Sequence, residues 1–447
     1  MQFDPEEDFP EAWKLLKPFM LSDETLVTLR NSMSRELLKG LARDTHDQSS
    51  VPCLLSYVQQ LPTSHERGRF LALEMWPTNC RIMLVKFGSE KDIYMSSKCV
   101  IVPHTVAASR GTTLFNFLAY NIAVFVRDKK VEKDNLPMGI AFAFELNKLS
   151  LDVGILLRWT KGYGAQGAVG KDVVQLLRNA LDEYKDIHIN LNSIVNIAIG
   201  ALMAVSWSHP NCRMGLIVGT NTNAAYVEKT ESCELYDGDP SIPIMIINTG
   251  WGNFGGNGHL ELIRNEFDKL VDSVSSVPGT KFYEKCISTL YMGELVRLIV
   301  VRLMNMGVIF KGASMDYFGI QWKMEMKSIM AIESDPPNVY TSAQAVMEKF
   351  RIRNCSQRDL ATLRFICKTV SLRSAQLVAV GVACLINRMN SPNISIAVEG
   401  GVYRLYPSYQ MNLNKYALML TNPQNKFEFI IAEDSPGVGA AIVAGLA

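Results

Sequence analysis

Three short turns in this 447-residue chain carry residue types suited to holding phosphate. Gly219-Thr220-Asn221-Thr222 joins two apolar runs, residues 213–218 and 224–227. Trp76-Pro77-Thr78-Asn79 joins residues 69–74 and 81–87, and Glu399-Gly400-Gly401 interrupts a third run between residues 395–398 and 402–406. Glycine lets backbone approach an anion closely, N–H groups in such turns can point inward, and a threonine hydroxyl adds a donor. The same composition also closes plain hairpins, so the turns alone do not decide between the two roles. Other chemistries lack a pattern. His46, His65, His104, His188, His209 and His259 are dispersed without metal-ligand spacing. The nine cysteines are odd in number and scattered, with no CxxC pair, which indicates neither a disulfide framework nor a zinc site.

These turns need a scaffold, and the rest of the chain supplies one. The length allows two or three domains of about 150 residues, and 48% hydrophobic against 20% charged residues is a globular profile. Lys+Arg 45 against Asp+Glu 44 leaves a net charge of +1, so composition lends no electrostatic support to nucleic-acid or membrane-surface binding. Residues 194–207 and 377–386 are the most apolar stretches, and both fall short of the roughly 20 residues that cross a bilayer. The acidic start, with Asp4, Glu6, Glu7 and Asp8, lacks the order of a signal peptide. A reducing cytoplasm is the expected compartment.

Helical spacing predicts a first helix capped by Ser22 and Asp23, with Leu26, Leu29, Met33, Leu37, Leu38 and Leu41 on its apolar face. Further helices are expected over residues 112–127, 171–184, 284–306 and 359–388. Strand-turn-strand units alternating with long helices indicate α/β architecture. The recurring unit suggests an internal duplication, with two similar sheets facing a cleft. The 21 methionines sit largely in helical runs and read as gap-filling core.

Here the residues resemble a family. Phe70-Leu71-Ala72-Leu73 followed by Thr78-Asn79-Cys80-Arg81 resembles the first phosphate loop of eukaryotic hexokinases and glucokinases. Leu156-Leu157-Arg158-Trp159-Thr160-Lys161-Gly162 is similar to their sugar-binding segment, and Gly215-Leu216-Ile217-Val218-Gly219-Thr220 to their second phosphate loop. Tyr291-Met292-Gly293-Glu294-Leu295-Val296-Arg297 is a further signature stretch, and the order and spacing hold from about Leu21 onward. The resemblance implies a two-lobed, actin-like ATPase (RNase H-like) hexokinase fold with a cleft between a small and a large lobe. It places an N-terminal acidic segment and helix at 1–61, the small lobe at 62–195 and the large lobe at 196–447. The family reaction is ATP-dependent phosphorylation of a hexose 6-hydroxyl in glycolysis, with Mg²⁺. Carried over by position, the sugar contacts are Thr160, Lys161, Asn196, Asn223 and Glu284. The nucleotide contacts are Glu74, Thr78, Asn79, Arg81, Gly219, Thr220 and Gly400, with Glu74 also a weak magnesium ligand.

The departures fall inside the motifs. The family's Asn-Asp-Thr-Val-Gly-Thr, with Asp as general base, reads Asn196-Ile197-Ala198-Ile199-Gly200-Ala201. Ile197 cannot accept a proton, and loss of a general base removes about 10²–10⁴ in rate. The family's Asp-Leu-Gly-Gly-Thr-Asn reads Glu74-Met75-Trp76-Pro77-Thr78-Asn79, where Pro77 has no N–H and Trp76 fills phosphate space. Asn221, a residue type that tolerates positive φ, replaces a loop glycine, and Glu399 replaces an Asp beside Gly400. Two further sugar contacts, a Ser and a Glu, are lost as Ala143 and Gly250. Glu145 stands where the family has proline and is expected to be a solvated surface carboxylate rather than a new polar contact. The expectation is a family member without an intact catalytic set, with reduced affinity for ATP and Mg²⁺ and a regulatory or binding role. The alternatives are a slow but active glucose kinase and a sugar sensor that closes without turnover. Hexose and ATP are the partners implied; neither nucleic acid nor a membrane anchor is expected.

Overall fold

The computed structural model describes residues 5–88, 92–160, 162–433 and 435–447. Two sheets carry the architecture, and they share one plan. In the smaller lobe the strands run, edge to edge, Ile93–Ile101, Asn79–Phe87, Gly68–Met75, Leu136–Phe142 and Ile189–Asn196. The first three are antiparallel and the last two are added parallel. In the larger lobe Ile244–Asn248, Thr222–Lys229 and Cys212–Val218 form the same antiparallel trio. Asn393–Glu399 and Lys426–Ile431 follow in parallel, and the short strand Leu54–Leu55 joins the far edge. A parallel neighbour requires a long crossover, here the helices Gly111–Asp128, Val173–Leu181, Gln357–Met389 and Pro407–Leu420. The duplication read from the strand-turn-strand units is thus a repeated five-strand topology.

The third of those units departs from expectation. Residues 402–406 do not return as a strand, because Gly401–Leu405 is a helix. Asn393–Glu399 already has Cys212–Val218 on one side and Lys426–Ile431 on the other, so no edge remains for a hairpin partner. Gly400, at φ 138°, turns the chain out of the sheet, and a Cβ there would lie 2.0 Å from the Val218 carbonyl oxygen. Only glycine fits that backbone.

Two helices connect the lobes. Ile197–Ser208 is apolar on all sides and buried from Ile197 to Trp207, which accounts for one of the two apolar stretches. Ser435–Leu446 leaves the larger sheet and packs on Gly68–Met75 and Leu136–Phe142 of the smaller one. The two helices cross where Gly439 meets Gly200, so closely that a Cβ on Gly439 would lie 1.8 Å from the Gly200 oxygen. The other apolar stretch lies inside Gln357–Met389, a helix long and apolar enough to span a membrane, although 94% of its most apolar window is buried in the protein. At the other end of the chain, Pro10–Leu16 and Asp23–Leu41 join the apolar clusters of the larger lobe. Ser22 caps the second of these by accepting the Thr25 N–H at 3.2 Å, as its position predicts. The helix expected over 171–184 is shorter, Val173–Leu181, and starts at the Asp172 cap.

The helix expected over 284–306 is two helices, Phe282–Ile287 and Thr289–Asn305. Ser288 is extended between them, and the break lets the Thr289 N–H reach the Gly219 carbonyl at 2.9 Å. The interruption therefore anchors one of the glycine turns.

Candidate functional site

The two sheets bring the singled-out residues to a cleft containing two cavities of about 230 Å³ each. Ala143, Asn196, Asn221 and Asn223 line both, so the cavities adjoin. The inner one is also lined by Glu145, Thr160, Asn248, Gly250, Lys281 and Glu284. Its floor is a polar chain. Asn196 caps the connecting helix by accepting the Ala198 N–H at 2.9 Å. Asn223 Nδ2 donates to Asn196 Oδ1 at 3.0 Å and to Asn248 Oδ1 at 2.7 Å. Asn223 Oδ1 accepts from the Thr249 hydroxyl at 3.4 Å. A half-buried network bonded in this way holds its amides in set directions. Thr160, Asn196, Asn223 and Glu284 thus line one cavity, whereas Lys161 lies outside the described residues. Asn248 was missed. It ends a strand with no local signal, and only pairing with Thr222–Lys229 places it against the cleft.

Two of the substituted sugar positions also line this cavity. Ala143 contributes a methyl group, and Gly250 sits at φ 61° with its Cβ direction 2.8 Å from Pro52. A larger residue at 250 would be strained against Pro52 as well as in its own backbone.

The outer cavity adds Trp76, Pro77, Ile197, Ile217, Gly219, Thr220, Glu399, Gly400 and Gly401. Both glycine turns face it, which agrees with the positions of Gly219, Thr220 and Gly400. The Gly219 N–H donates to the Asn221 carbonyl at 2.9 Å, closing a turn in which Asn221 does not need positive φ. Ile197 is only 4% exposed and takes the first helical position, where the resemblance puts the base.

At the first hairpin turn, four residues carried over by the resemblance lie off the cavity's lining. Trp76 and Pro77 line the cavity, but Thr78, Asn79 and Arg81 do not. The Asn79 carbonyl accepts the Trp76 N–H at 2.9 Å, the Thr78 carbonyl accepts the Val102 N–H at 3.1 Å, and Arg81 approaches Met95 Sδ at 3.9 Å. These contacts fasten the hairpin. Glu74, the fourth, is buried at 3% exposure and lines neither cavity. One of its oxygens accepts the Gly437 N–H at 2.5 Å and the other the Trp76 indole N–H at 3.4 Å. Its charge faces the first turn of Ser435–Leu446, where a carboxylate is favourable. The carboxylate that does line the outer cavity is Glu399, which accepts the Ser435 hydroxyl at 3.3 Å. Magnesium commonly takes one or two carboxylates alongside substrate phosphates, and Glu399 stands in the outer cavity where such a carboxylate could serve.

Glu145 is not a solvated carboxylate. Arg158 donates to it at 2.6 and 3.0 Å, and Lys281 forms an ion pair with it. Burial would raise its pKa, but Arg158 and Lys281 outweigh burial and hold the carboxyl below its usual range. The two partners are far apart in the chain, which is why no local pattern revealed them.

Comparison with known proteins agrees with this geometry. Residues 11–207 and 213–446 match the two hexokinase family models. Hexokinase type 1 of Drosophila melanogaster is 60% identical over 445 residues, covering 100% of this chain and 96% of that protein. Hexokinase-1 of Rattus norvegicus is 34% identical across 97% of this chain, which spans only 48% of that relative's length. The structure of the Schistosoma mansoni hexokinase complexed with glucose superposes with a TM-score of 0.93 at 31% identity over the full length of both chains. A second hexokinase crystal structure gives 0.86 at 26% identity, covering 99% of this chain and all of that one.

Proposed function

The chain belongs to the hexokinase family, and from that premise we propose that it binds a hexose in the inner cavity while transferring phosphate from Mg-ATP slowly or not at all. Its role is then regulatory or sugar-sensing. The observation carrying this reading is Ile197. It lines the outer cavity directly after Asn196, which lines both, and a general base must come within about 2.6–3.2 Å of the reacting hydroxyl. A branched alkyl group accepts no proton and repels the polar oxygen it would face.

Phosphoryl transfer rests on positioning and on charge stabilisation by donors and metal. Pro77 lacks an N–H and Trp76 narrows the outer cavity, which supports reduced affinity for ATP and for the accompanying Mg²⁺. When bound, magnesium would neutralise phosphate charge, with Glu399 as the carboxylate to hold it. A hexose ligand is supported by the preserved asparagine floor and by the glucose in the Schistosoma structure. That same floor favours the second reading, a slow glucose kinase in which substrate positioning alone sustains turnover. The nine cysteines are free thiols, which supports a reducing cytoplasm.

The test is glucose phosphorylation by the purified chain at saturating glucose and Mg-ATP, with Ile197→Asp alongside and glucose binding followed by calorimetry. The expected result is glucose binding without turnover above background. Sugar-dependent turnover by the unmodified chain would sink the non-catalytic reading. Absence of glucose binding would sink the hexose reading.

A further inference from the structure

A cavity of about 920 Å³ in the larger lobe shares no lining residue with the two cleft cavities. Two loops wall it. Residues 307–314 follow the helix Thr289–Asn305, and residues 351–356 precede the helix Gln357–Met389. The loops are tied to each other through Asp359, which accepts the Phe310 N–H at 3.2 Å and the Ser356 N–H at 3.1 Å. Gly307, Phe310, Gly312, Arg351 and Asn354 all have φ between 49° and 76°. Non-glycine residues adopt that backbone where the surrounding fold imposes it, and here the Phe310 side chain is buried at 4% exposure. The walls are therefore fixed in shape by contacts below the cavity.

The charged residues lining it are Lys311, Arg351, Arg353 and Arg358 against Glu11 and Asp359. A chain of net charge +1 thus gathers four cations at one cavity. Both carboxylates are already engaged, Asp359 by the two backbone bonds and Glu11 by Lys14 at 3.1 Å. Among the described residues, none of the four cations is paired with a carboxylate. Arg351 lies 4.2 Å over the Tyr317 ring and donates to its hydroxyl at 3.3 Å, and Arg358 donates to the Asp8 backbone carbonyl at 3.1 Å. The charged groups of Lys311 and Arg353 have no hydrogen-bond partner among the described residues. The acidic residues of the short helix Pro5–Asp8 do not line the cavity. Ser356 and Asp359 close a capping box at the start of Gln357–Met389, so the attraction for an anion comes from the four side chains rather than from the helix end.

We infer that this cavity is a second ligand site, separate from the cleft, for a small molecule carrying two or more phosphate groups. Four like charges around one recess repel each other, and a concave surface of one sign concentrates counter-ions of the other. One phosphate group carries about −1.5 to −2 at neutral pH, so four uncompensated cations match at least two such groups. Three of the four are arginines, whose planar fork fits phosphate oxygens, and Tyr317 already orients one of them. The site does not depend on the reading of the cleft, and it stands whether or not the chain phosphorylates a sugar.

The experiment is calorimetric titration of the full chain with tripolyphosphate and with orthophosphate. It compares the unmodified protein, the double variant Lys311→Gln with Arg353→Gln, and the charge-keeping double variant Lys311→Arg with Arg353→Lys. Both side chains are exposed, so the substitutions should leave the fold intact, which thermal unfolding checks. The unmodified chain should bind tripolyphosphate more tightly than orthophosphate, and added salt should weaken that binding. The glutamine variant should lose about tenfold in affinity, and the charge-keeping variant should retain it. No binding of tripolyphosphate would overturn the site. Binding that the glutamine variant leaves unchanged would also overturn it, because the anion would then sit elsewhere, as on the glycine turns of the cleft. Equal affinity for orthophosphate would overturn the requirement for two phosphates. Co-sedimentation with phosphatidylcholine vesicles carrying phosphatidylinositol bisphosphate separates the two sources of such a ligand. Retention that the glutamine variant loses assigns a lipid headgroup and absence of retention a soluble molecule, and either supports the site once tripolyphosphate binds there.

Discussion

The inner and outer halves of the cleft have fared differently, and the difference follows from what each side chain does for the fold. In the inner half, Asn196 caps a helix and Asn223 ties it to Asn248 on the neighbouring strand. Replacing either would remove hydrogen bonds from half-buried polar groups, at about 0.5–1.5 kcal/mol each. In the outer half, the position of Ile197 opens an all-apolar helix within a buried cluster, so an aliphatic residue packs there at no structural cost. Trp76 and Pro77 likewise occupy a turn closed by the Trp76–Asn79 backbone bond, which needs no glycine. The floor residues that match the family motif are ones the fold also uses, whereas the departures, Ala143 and Gly250 in the inner half and Ile197, Trp76 and Pro77 in the outer, make none of the floor's bonds. Gly400 follows the same rule within the outer half. It remains because its backbone leaves no room for a Cβ.

This comparison can be broken most forcefully at residue 197. If the remaining site is assembled, Ile197→Asp should raise glucose phosphorylation by about 10²–10⁴-fold over the unmodified chain. A coupled assay for the phosphorylated sugar measures it, and no gain would mean that the outer half has lost more than its base. Next in size is Gly400→Ala. With φ at 138° and the Val218 oxygen 2.0 Å from the added methyl, it should cost about 3 kcal/mol or more in denaturant unfolding. A neutral result would show that the outer turns are not held for the fold. Asn248→Ala should cost about 1–2 kcal/mol and weaken glucose binding about tenfold, since it frees Asn223 from its orienting partner. Loss of stability without loss of binding would sever the double role assigned to the inner floor.

An effect that appears only as pH is varied is expected at Lys148, beside the inner half. Its ammonium donates to the Leu151 carbonyl at 3.0 Å and to that of Ile194, and burial pushes its pKa down to about 7. From pH 7 up to the unfolded value of 10.5 the unfolded chain keeps a proton that the folded chain has released, so this residue makes stability rise with pH across that window. Relative to Lys148→Met, the unmodified chain should gain up to about 1.4 kcal/mol per pH unit between pH 7 and 9, on top of a constant offset from the two carbonyls. Parallel pH profiles for the two proteins would refute the shift.

The hairpins at residues 68–87 and 212–229 were legible because strand alternation and turn composition are local signals. So was the Ser22 cap, which needs only four consecutive residues. The apolar run 402–406 misled because alternation cannot tell a strand from a short helix once both sheet neighbours are taken. Thr78, Asn79 and Arg81 match a motif in order, yet it is Trp76 and Pro77 that line the cavity, because order in the chain does not say which residues of a turn face inward. Glu145 misled because its partners lie on another strand and in another lobe.

What the sequence determined by itself was the α/β alternation, its duplication, the family and the absence of a carboxylate at residue 197, all of which follow from residue identity and short-range spacing. The tertiary structure alone decided that Glu74 faces a helix rather than the cavity, that Asn248 completes the sugar-side floor, and that Glu145 meets Lys281 across the cleft. Each of these depends on packing and electrostatic attraction between segments far apart in the chain, and such contacts exist only once the two lobes have folded against each other.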